Sequence, residues 1–328
     1  MKIIMITPAA PGSKAGNRAT AERWKALLEE GGHQASVVTE YHGAPCDVFV
    51  ALHAWRSHEA IETFRRCWPE APLIVVLTGT DIYRHQHEYP TDTLASMEAA
   101  DVLIGLHALV AQDIPPHYAD KLVTLFQSAD VAQGLPARGG DRATFDVCVI
   151  GHLREEKDSL RAALAARLLP EGSRVRVLCA GKPHDSQWQA AAEREMRENP
   201  RFQWLGELDK PDIAKLMAES RVMVISSIME GGANVVSEAC RAGVPVLASD
   251  IPGNRGLLGK DYGGYYPVGD ERMLAAMLLR AETDPTFLER LEHQVGELAP
   301  KFTPDNERHT LEQALELAVQ RRSPRGQG

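Results

Sequence analysis

The chain has 328 residues, 44% of them hydrophobic and 25% charged, an ordinary globular composition over a length that suits two domains. Its 36 basic and 45 acidic side chains leave a net charge of -9. That acidity argues against non-specific binding to nucleic acid or to an anionic membrane, though not against a local basic pocket.

The opening MKIIMITPAAPG reads as a short strand and a Pro/Gly turn, without the apolar stretch and cleavage site of a signal peptide. No apolar run approaches the roughly 20 residues needed to span a bilayer, so the expected compartment is the cytoplasm. Strands are predicted at Lys2–Thr7, Ala35–Thr39, Asp47–Leu52, Leu73–Leu77, Val102–Leu106 and Leu122–Phe126, with helical stretches at Ala19–Glu30, Ser57–Cys67, Thr93–Ala100 and His107–Asp113. Near-continuous apolar strands separated by helices indicate a parallel sheet covered on both faces.

Residues 129–144 (ADVAQGLPARGGDRAT) carry no hydrophobic period and read as a linker. The alternation restarts with strands at Phe145–Ile150, Arg174–Ala180, Phe202–Leu205, Val222–Ser226 and Val244–Ser249. Helices are predicted between these strands at 156–168, 187–198, 211–219 and 233–242, and at the end over 270–283, 285–299 and 305–322. The expected organisation is a Rossmann-like α/β domain over 1–128, the linker, a second Rossmann-like domain over 145–304, and a last helix in 305–328. Two such halves imply a cleft between them, because ligands of these folds sit at the carboxyl ends of the strands. The cysteines Cys46, Cys67, Cys148, Cys179 and Cys240 form no CxxC pair, and their odd number fits reduced thiols.

The stretch SSIMEGGANVVSE, Ser226–Glu238, carries the most chemistry. An apolar strand ends in a loop holding Glu230, Gly231, Gly232 and Ala233, and a helix starts near Asn234 and carries Glu238. Glycines at such a turn let a ligand approach the backbone, and the free amides of the helix start favour a diphosphate or a sugar oxygen. The bland reading of the same residues is a solvated loop glutamate and a surface or capping one. A second element, GHLREEKD, follows the strand FDVCVI and presents Arg154 and Lys157 beyond Gly151. An arginine fork and a lysine point charge suit phosphate oxygens, and the alternative is an ordinary first helical turn.

Residues 146–300 resemble the donor half of family 4 GT-B glycosyltransferases, with Glu230 and Glu238 matching a Glu-x7-Glu motif and Arg154 and Lys157 matching a basic pair. Ala180-Gly181, Gly206 and AGVPVLAS at 242–249 add to the likeness. The resemblance implies a GT-B fold, a UDP-sugar donor and a last helix in 305–328 that packs back on the first domain. It also implies that Glu230 contacts the sugar, Glu238 the ribose, and Arg154 and Lys157 the diphosphate. No metal or other cofactor is then required, because fixed cations and helix-end amides stabilise the departing diphosphate. The sequence holds no DxD or Cys/His cluster that would clearly supply a metal.

The loop Pro8–Arg18 holds Lys14, Gly16, Asn17 and Arg18, and is neither a P-loop nor GxGxxG. His53, Arg56 and Ser57 follow the strand DVFVAL, and Thr78, Gly79, Thr80, Asp81 and Tyr83 follow LIVVL. Gln127 and Ser128 follow the last strand of this half. The patterns ALHAWRS, TGTDIY and FQSA resemble the selenosugar synthases of selenoneine biosynthesis. That resemblance implies transfer of N-acetylglucosamine from a UDP-sugar to selenophosphate, giving a selenosugar, UDP and phosphate. Lys14, Gly16, Asn17, Arg18, Arg56, Thr78 and Thr80 are then the acceptor-binding candidates. His53 is the acid/base candidate, with a structural histidine as its plain alternative. A conventional transferase with an alcohol or amine acceptor, a nucleotide-sugar epimerase and a non-catalytic sugar-nucleotide binding protein are the rival readings.

Overall fold

The computed structural model describes residues 1–13, 16–130 and 143–322. The chain divides into two compact units, one of residues 1–128 with 304–328 and one of residues 129–303. Most of the segment expected as a linker lies outside the described residues.

In the first unit six strands, β1 (Lys2–Ile6), β2 (Gln34–Val38), β3 (Val48–Leu52), β4 (Leu73–Leu77), β5 (Val102–Gly105) and β6 (Leu122–Thr124), form one parallel sheet in the order β2-β1-β3-β4-β5-β6. Strands β3, β4 and β5 are buried along their whole length, which is why they read as unbroken apolar runs rather than as alternation. The two faces of the sheet build separate cores. Ile3 and Met5 pack with Trp24 and Leu28 of the helix Gly16–Glu30 and with Leu311 and Leu315 of the terminal helix Pro304–Arg322. Ile4 and Ile6 face the other way, among Phe49, Phe64 and Met97.

The terminal helix is anchored by Glu307, a fully buried carboxylate. It accepts from Arg23 at 2.8 and 3.0 Å, from the Trp24 indole at 2.7 Å, and from both the amide (2.8 Å) and the hydroxyl of Ser128. A buried charge is tolerated when its lone pairs are used in this way.

The second unit has β7 (Phe145–Ile150), β8 (Val175–Ala180), β9 (Phe202–Trp204), β10 (Val222–Ile225), β11 (Val246–Ser249) and β12 (Tyr265–Tyr266) in the order β12-β11-β10-β7-β8-β9, again parallel. Both orders reverse direction once. The reversal falls between β1 and β3 in the first sheet and between β7 and β10 in the second. In doubly wound sheets that switch point opens the crevice in which ligands sit.

Three local features differ from the sequence expectation. The first helix starts at Gly16, so Gly16, Asn17 and Arg18 lie on its first turn rather than in the preceding loop. A π-helical turn over Asp81–His85 follows β4, and the short edge strand β12 joins the second sheet. Among the described residues no helix is long and apolar enough to cross a membrane.

Candidate active site

In the second unit the chain leaves β7 through Gly151, at φ +150°. The Gly151 amide donates to the Ala180 carbonyl at 2.9 Å. A Cβ on Gly181 would stand 1.8 Å from the Gly151 oxygen, so the two strand ends can lie this close only with glycine at 181. A short turn, Glu155–Lys157, follows. It is tied to the loop after β10 by the Ser226 hydroxyl, which donates to the carbonyls of Lys157 (3.2 Å) and Asp158 (2.9 Å). The Ile228 amide adds a bond to the Glu156 carbonyl at 2.9 Å. The two loops of the switch point are therefore one structure.

On this frame Lys157 forms a direct ion pair with Glu230. The same carboxylate oxygen accepts from the Ser227 hydroxyl at 2.5 Å. Glu230 is buried, and its backbone is clamped from behind, since a Cβ on Gly253 would lie 2.2 Å from the Glu230 carbonyl oxygen. Behind Ser227, the Ser249 hydroxyl donates to its carbonyl at 2.6 Å and Asn254 donates to Ser249 at 2.9 Å. The helix Asn234–Arg241 begins just beyond, with Ala233 as its N-cap and no side chain capping its first amides. Gly231 and Ala233 are buried, Asn234 and Glu238 half-buried, and Gly232 has φ +148°.

Arg154 lies on the same turn as Lys157, with 44% of its side chain exposed and its Nε 3.8 Å from Glu156. The structure thus joins Lys157 to Glu230 and leaves Arg154 beside them on the surface. A narrow cleft of about 10 Å³ is bounded here by Gly151, Lys157, Ser159, Ser226 and Ser227. A larger hollow of about 290 Å³ is lined by Phe145, Arg174, Arg221 and Leu288, but these residues mark the amino ends of β7, β8 and β10, the wrong end of the sheet for the ligand of such a fold.

In the first unit three of the predicted residues come together around one that the sequence reading did not single out. Asp81 is completely buried. Its oxygens accept from the amides of Ala54 (2.9 Å), Trp55 (3.1 Å) and Thr78 (3.0 Å), and from the Thr78 hydroxyl (3.0 Å). The fifth partner is the His53 ring, whose Nδ1 is 2.8 Å from Oδ1. Burial works to raise the Asp81 carboxyl, but the hydrogen bond and charge of His53 and the amides of Thr78 and Trp55 outweigh it and hold the group below the usual carboxylate range.

His53 is buried at φ +81°, a conformation in which few residues other than glycine are found. Its Nε2 lies 3.1 Å from the Thr80 hydroxyl. His85 packs beside it, ring centroids 5.2 Å apart, and burial pushes its imidazolium to lower pH. His53, Asp81 and His85 offer one donor atom each within 4.8 Å of one another. All the Asp81 acceptor capacity is already committed, so the carboxylate serves as a hydrogen-bond hub.

Arg56 is exposed and touches His53 only through its amide, at 3.2 Å from Nδ1. Gly16 is exposed and Asn17 half-buried. Arg18 is buried and pairs with Glu22 through one nitrogen, while its Nε and Nη1 have no hydrogen-bond partner. Lys14 lies outside the described residues.

Residues 140–301 match the family Glycosyl transferases group 1. Several solved structures are similar in fold. Anabaena HepE in complex with UDP and glucose is 16% identical, with a TM-score of 0.77 over 96% of this chain and 99% of that one. Sucrose-phosphate synthase from Thermosynechococcus elongatus is 14% identical, with a TM-score of 0.75 over 95% and 97%. A glycosyltransferase from Rickettsia africae is 14% identical, with a TM-score of 0.72 over 96% and 98%. The two parallel six-stranded sheets are thus those of a GT-B fold, and residues 140–301, within its second unit, are similar to the glycosyl transferases group 1 domain.

Proposed function

We propose that the protein transfers N-acetylglucosamine from a UDP-sugar to selenophosphate, forming a C–Se bond and releasing UDP, with phosphate set free when water cleaves the P–Se bond. One observation carries the donor half of this reading: Lys157 and Glu230 meet at the switch point of the second sheet, beside the start of the helix Asn234–Arg241. A nucleotide diphosphate would lie across the mouth of that notch. Breaking a glycosyl–phosphate bond builds positive charge at the anomeric carbon and negative charge on the departing UDP. Arg154 and the first amides of the helix would stabilise the latter without reorganising, and Lys157 would join them once released from Glu230, so the charge separation requires no metal.

In the resting protein Glu230, itself bonded by the Ser227 hydroxyl, holds Lys157. A sugar hydroxyl offered to Glu230 would loosen that pair and turn the ammonium toward phosphate. Glu238, farther along the helix, is the ribose partner. HepE, which shares the fold, was solved with UDP and with UDP-glucose, which supports the choice of nucleotide.

The acceptor half of the reading rests on the first unit. Arg18 keeps two buried guanidinium nitrogens without hydrogen-bond partners, which suits a phosphate-like anion. Lys14, Gly16, Asn17 and Arg56 are the further acceptor candidates, and Thr78 and Thr80 supply hydroxyls near His53, the acid/base group. Selenium is soft and already nucleophilic, so positioning and charge neutralisation are the main demands on the site.

Purified protein given UDP-N-acetylglucosamine and selenophosphate should yield a selenium-containing sugar by mass spectrometry. Products limited to ordinary glycosides of alcohols or amines would replace the selenium acceptor with a conventional one. UDP binding with no turnover across acceptors would reduce the protein to a sugar-nucleotide binder.

A further inference from the structure

We infer that Asp81, His53 and Thr80 form a proton relay whose outer end, the Thr80 hydroxyl, takes the proton of an acceptor that arrives protonated. This rests on the transferase reading above for its chemistry, though not for its geometry.

The direction of the relay follows from counting protons. Asp81 receives three amides, one hydroxyl and one ring nitrogen, and a carboxylate with that many donors is ionised. An ionised oxygen 2.8 Å from Nδ1 requires a proton between them, since two facing lone pairs would repel. His53 is therefore the Nδ1–H tautomer. The Arg56 amide, 3.2 Å from the same nitrogen, is the longer and weaker claim on it. Nε2 is left with a lone pair, and at 3.1 Å the Thr80 hydroxyl must be its donor.

Thr78 spends its own proton on Asp81. The 3.3 Å contact between the Thr78 and Thr80 oxygens is then left without a hydrogen, and the lone pairs of the Thr80 oxygen remain for an incoming donor.

Burial orders the three groups from inside to outside. Asp81 is 0% exposed and His53 2%, while Thr80 is half-buried. They stand at the carboxyl ends of β3 and β4, next to the β1–β3 switch point. The backbone is bent to make the array, because the left-handed turn at His53 precedes the Ala54 and Trp55 amides that both point at Asp81. Strain of this kind persists where surrounding bonds over-determine it. A nucleophile, a base and an orienting acid at these distances recur on unrelated folds.

In the reaction the proton of the acceptor's reacting group moves to the Thr80 oxygen as the Thr80 proton moves to His53 Nε2. The freed electron pair on the acceptor forms the bond to the anomeric carbon, and the electrons of the old glycosyl–oxygen bond leave with UDP. The threonine ends neutral, and the imidazolium rests against the Asp81 carboxylate until it loses its proton to solvent. Thr80 is the group that touches substrate, and Asp81 is a positioning residue.

Long-range proton–nitrogen NMR on the uniformly labelled full chain, with His53 assigned through His53→Gln, reads the tautomer directly. Nδ1–H is expected in the wild type and in Thr80→Val, and Nε2–H in Asp81→Asn. An Nε2–H wild type overturns the relay whether or not any sugar is transferred. With UDP-N-acetylglucosamine and selenophosphate, Thr80→Val should lose on the order of 100-fold in kcat, with KM for the UDP-sugar unchanged and Thr80→Ser recovering most of the rate. Asp81→Asn should lose at least as much. Full kcat in Thr80→Val overturns the relay even if Asp81→Asn fails to fold. A wild type that transfers nothing overturns the transferase reading, and the nitrogen spectra then decide the relay alone.

Discussion

Lys157 and Glu230, 73 residues apart in the chain, close on one another in an ion pair at the carboxyl end of the second sheet. The pair sets the resting charge of the site, because it cancels the lysine that a diphosphate would seek. Glu230→Gln keeps the shape and removes the charge. The expected outcome is a kcat lower by on the order of 100-fold with UDP affinity unchanged or a few-fold tighter. Initial rates and titration calorimetry would show this, and a tenfold loss of UDP affinity would count against it.

Arg154 and Glu238 should separate cleanly in kinetics. On the proposed reading, the charge that Arg154 meets grows as UDP departs, so Arg154→Ala should lower kcat more than it raises KM. On the same reading, Glu238→Ala removes a ribose contact made equally in the ground and transition states. It should weaken UDP-sugar binding roughly tenfold or more, the scale of one hydrogen bond to a charged group, and leave kcat nearly intact. Equal losses of binding in both variants, with no extra loss of rate at Arg154, would contradict the assignment.

Glu307 gives a prediction about stability alone. Glu307→Ala removes the acceptor of the Trp24 indole and the Ser128 amide and the charge partner of Arg23, which keeps its bond to Gln127. Removing one partner of a buried charged pair costs about 3–5 kcal/mol, and the first transition in urea should move accordingly. A loss below about 1 kcal/mol would mean that water replaces the carboxylate.

His107 predicts a pH slope. It is fully buried, and burial pushes its imidazolium down to about 4, below the roughly 6.5 of an unfolded histidine. The Leu109 amide donates to Nδ1 at 3.2 Å, so Nε2 carries the proton and donates to the Tyr83 oxygen at 3.1 Å. Protonation favours the unfolded chain. The contribution to stability is complete above about pH 6.5 and declines as pH falls toward 4, by about 3 kcal/mol at most. Asp81, held below the usual carboxylate range, adds its own loss only at lower pH. Denaturation in urea at pH 7 and pH 4.5 should show a shallower slope for His107→Gln than for the wild type.

The fold was legible because parallel strands buried on both faces leave apolar runs such as LIVVL and VMVI that no surface element would carry. The two-residue strand Tyr265–Tyr266 was invisible for the opposite reason, since it pairs on an edge through two residues only. Glu230 and Lys157 stood out as charges in glycine-bearing loops directly after apolar strands. Asp81 did not, because an aspartate four residues after a strand looks like any turn residue until the amides of Ala54, Trp55 and Thr78 are seen aimed at it. The one available signal was the Thr-x-x-Asp spacing of TGTD, and that pattern belongs to many ordinary turns. Ser227 and Asn254 act by supporting Glu230 from behind, a role set by three-dimensional packing that leaves no mark in linear spacing.

The terminal helix has a consequence for biosynthesis. Leu311, Ala314, Leu315 and Ala318 complete one of the two cores of the amino-terminal unit, yet they are translated after the whole of residues 129–303. A nascent chain therefore carries an open greasy flank over Ile3, Met5 and Trp24 while the intervening unit, residues 129–303, has every strand it needs. The carboxyl-terminal sheet should mature first on the ribosome, and the front unit should depend on chaperone cover until the last helix emerges.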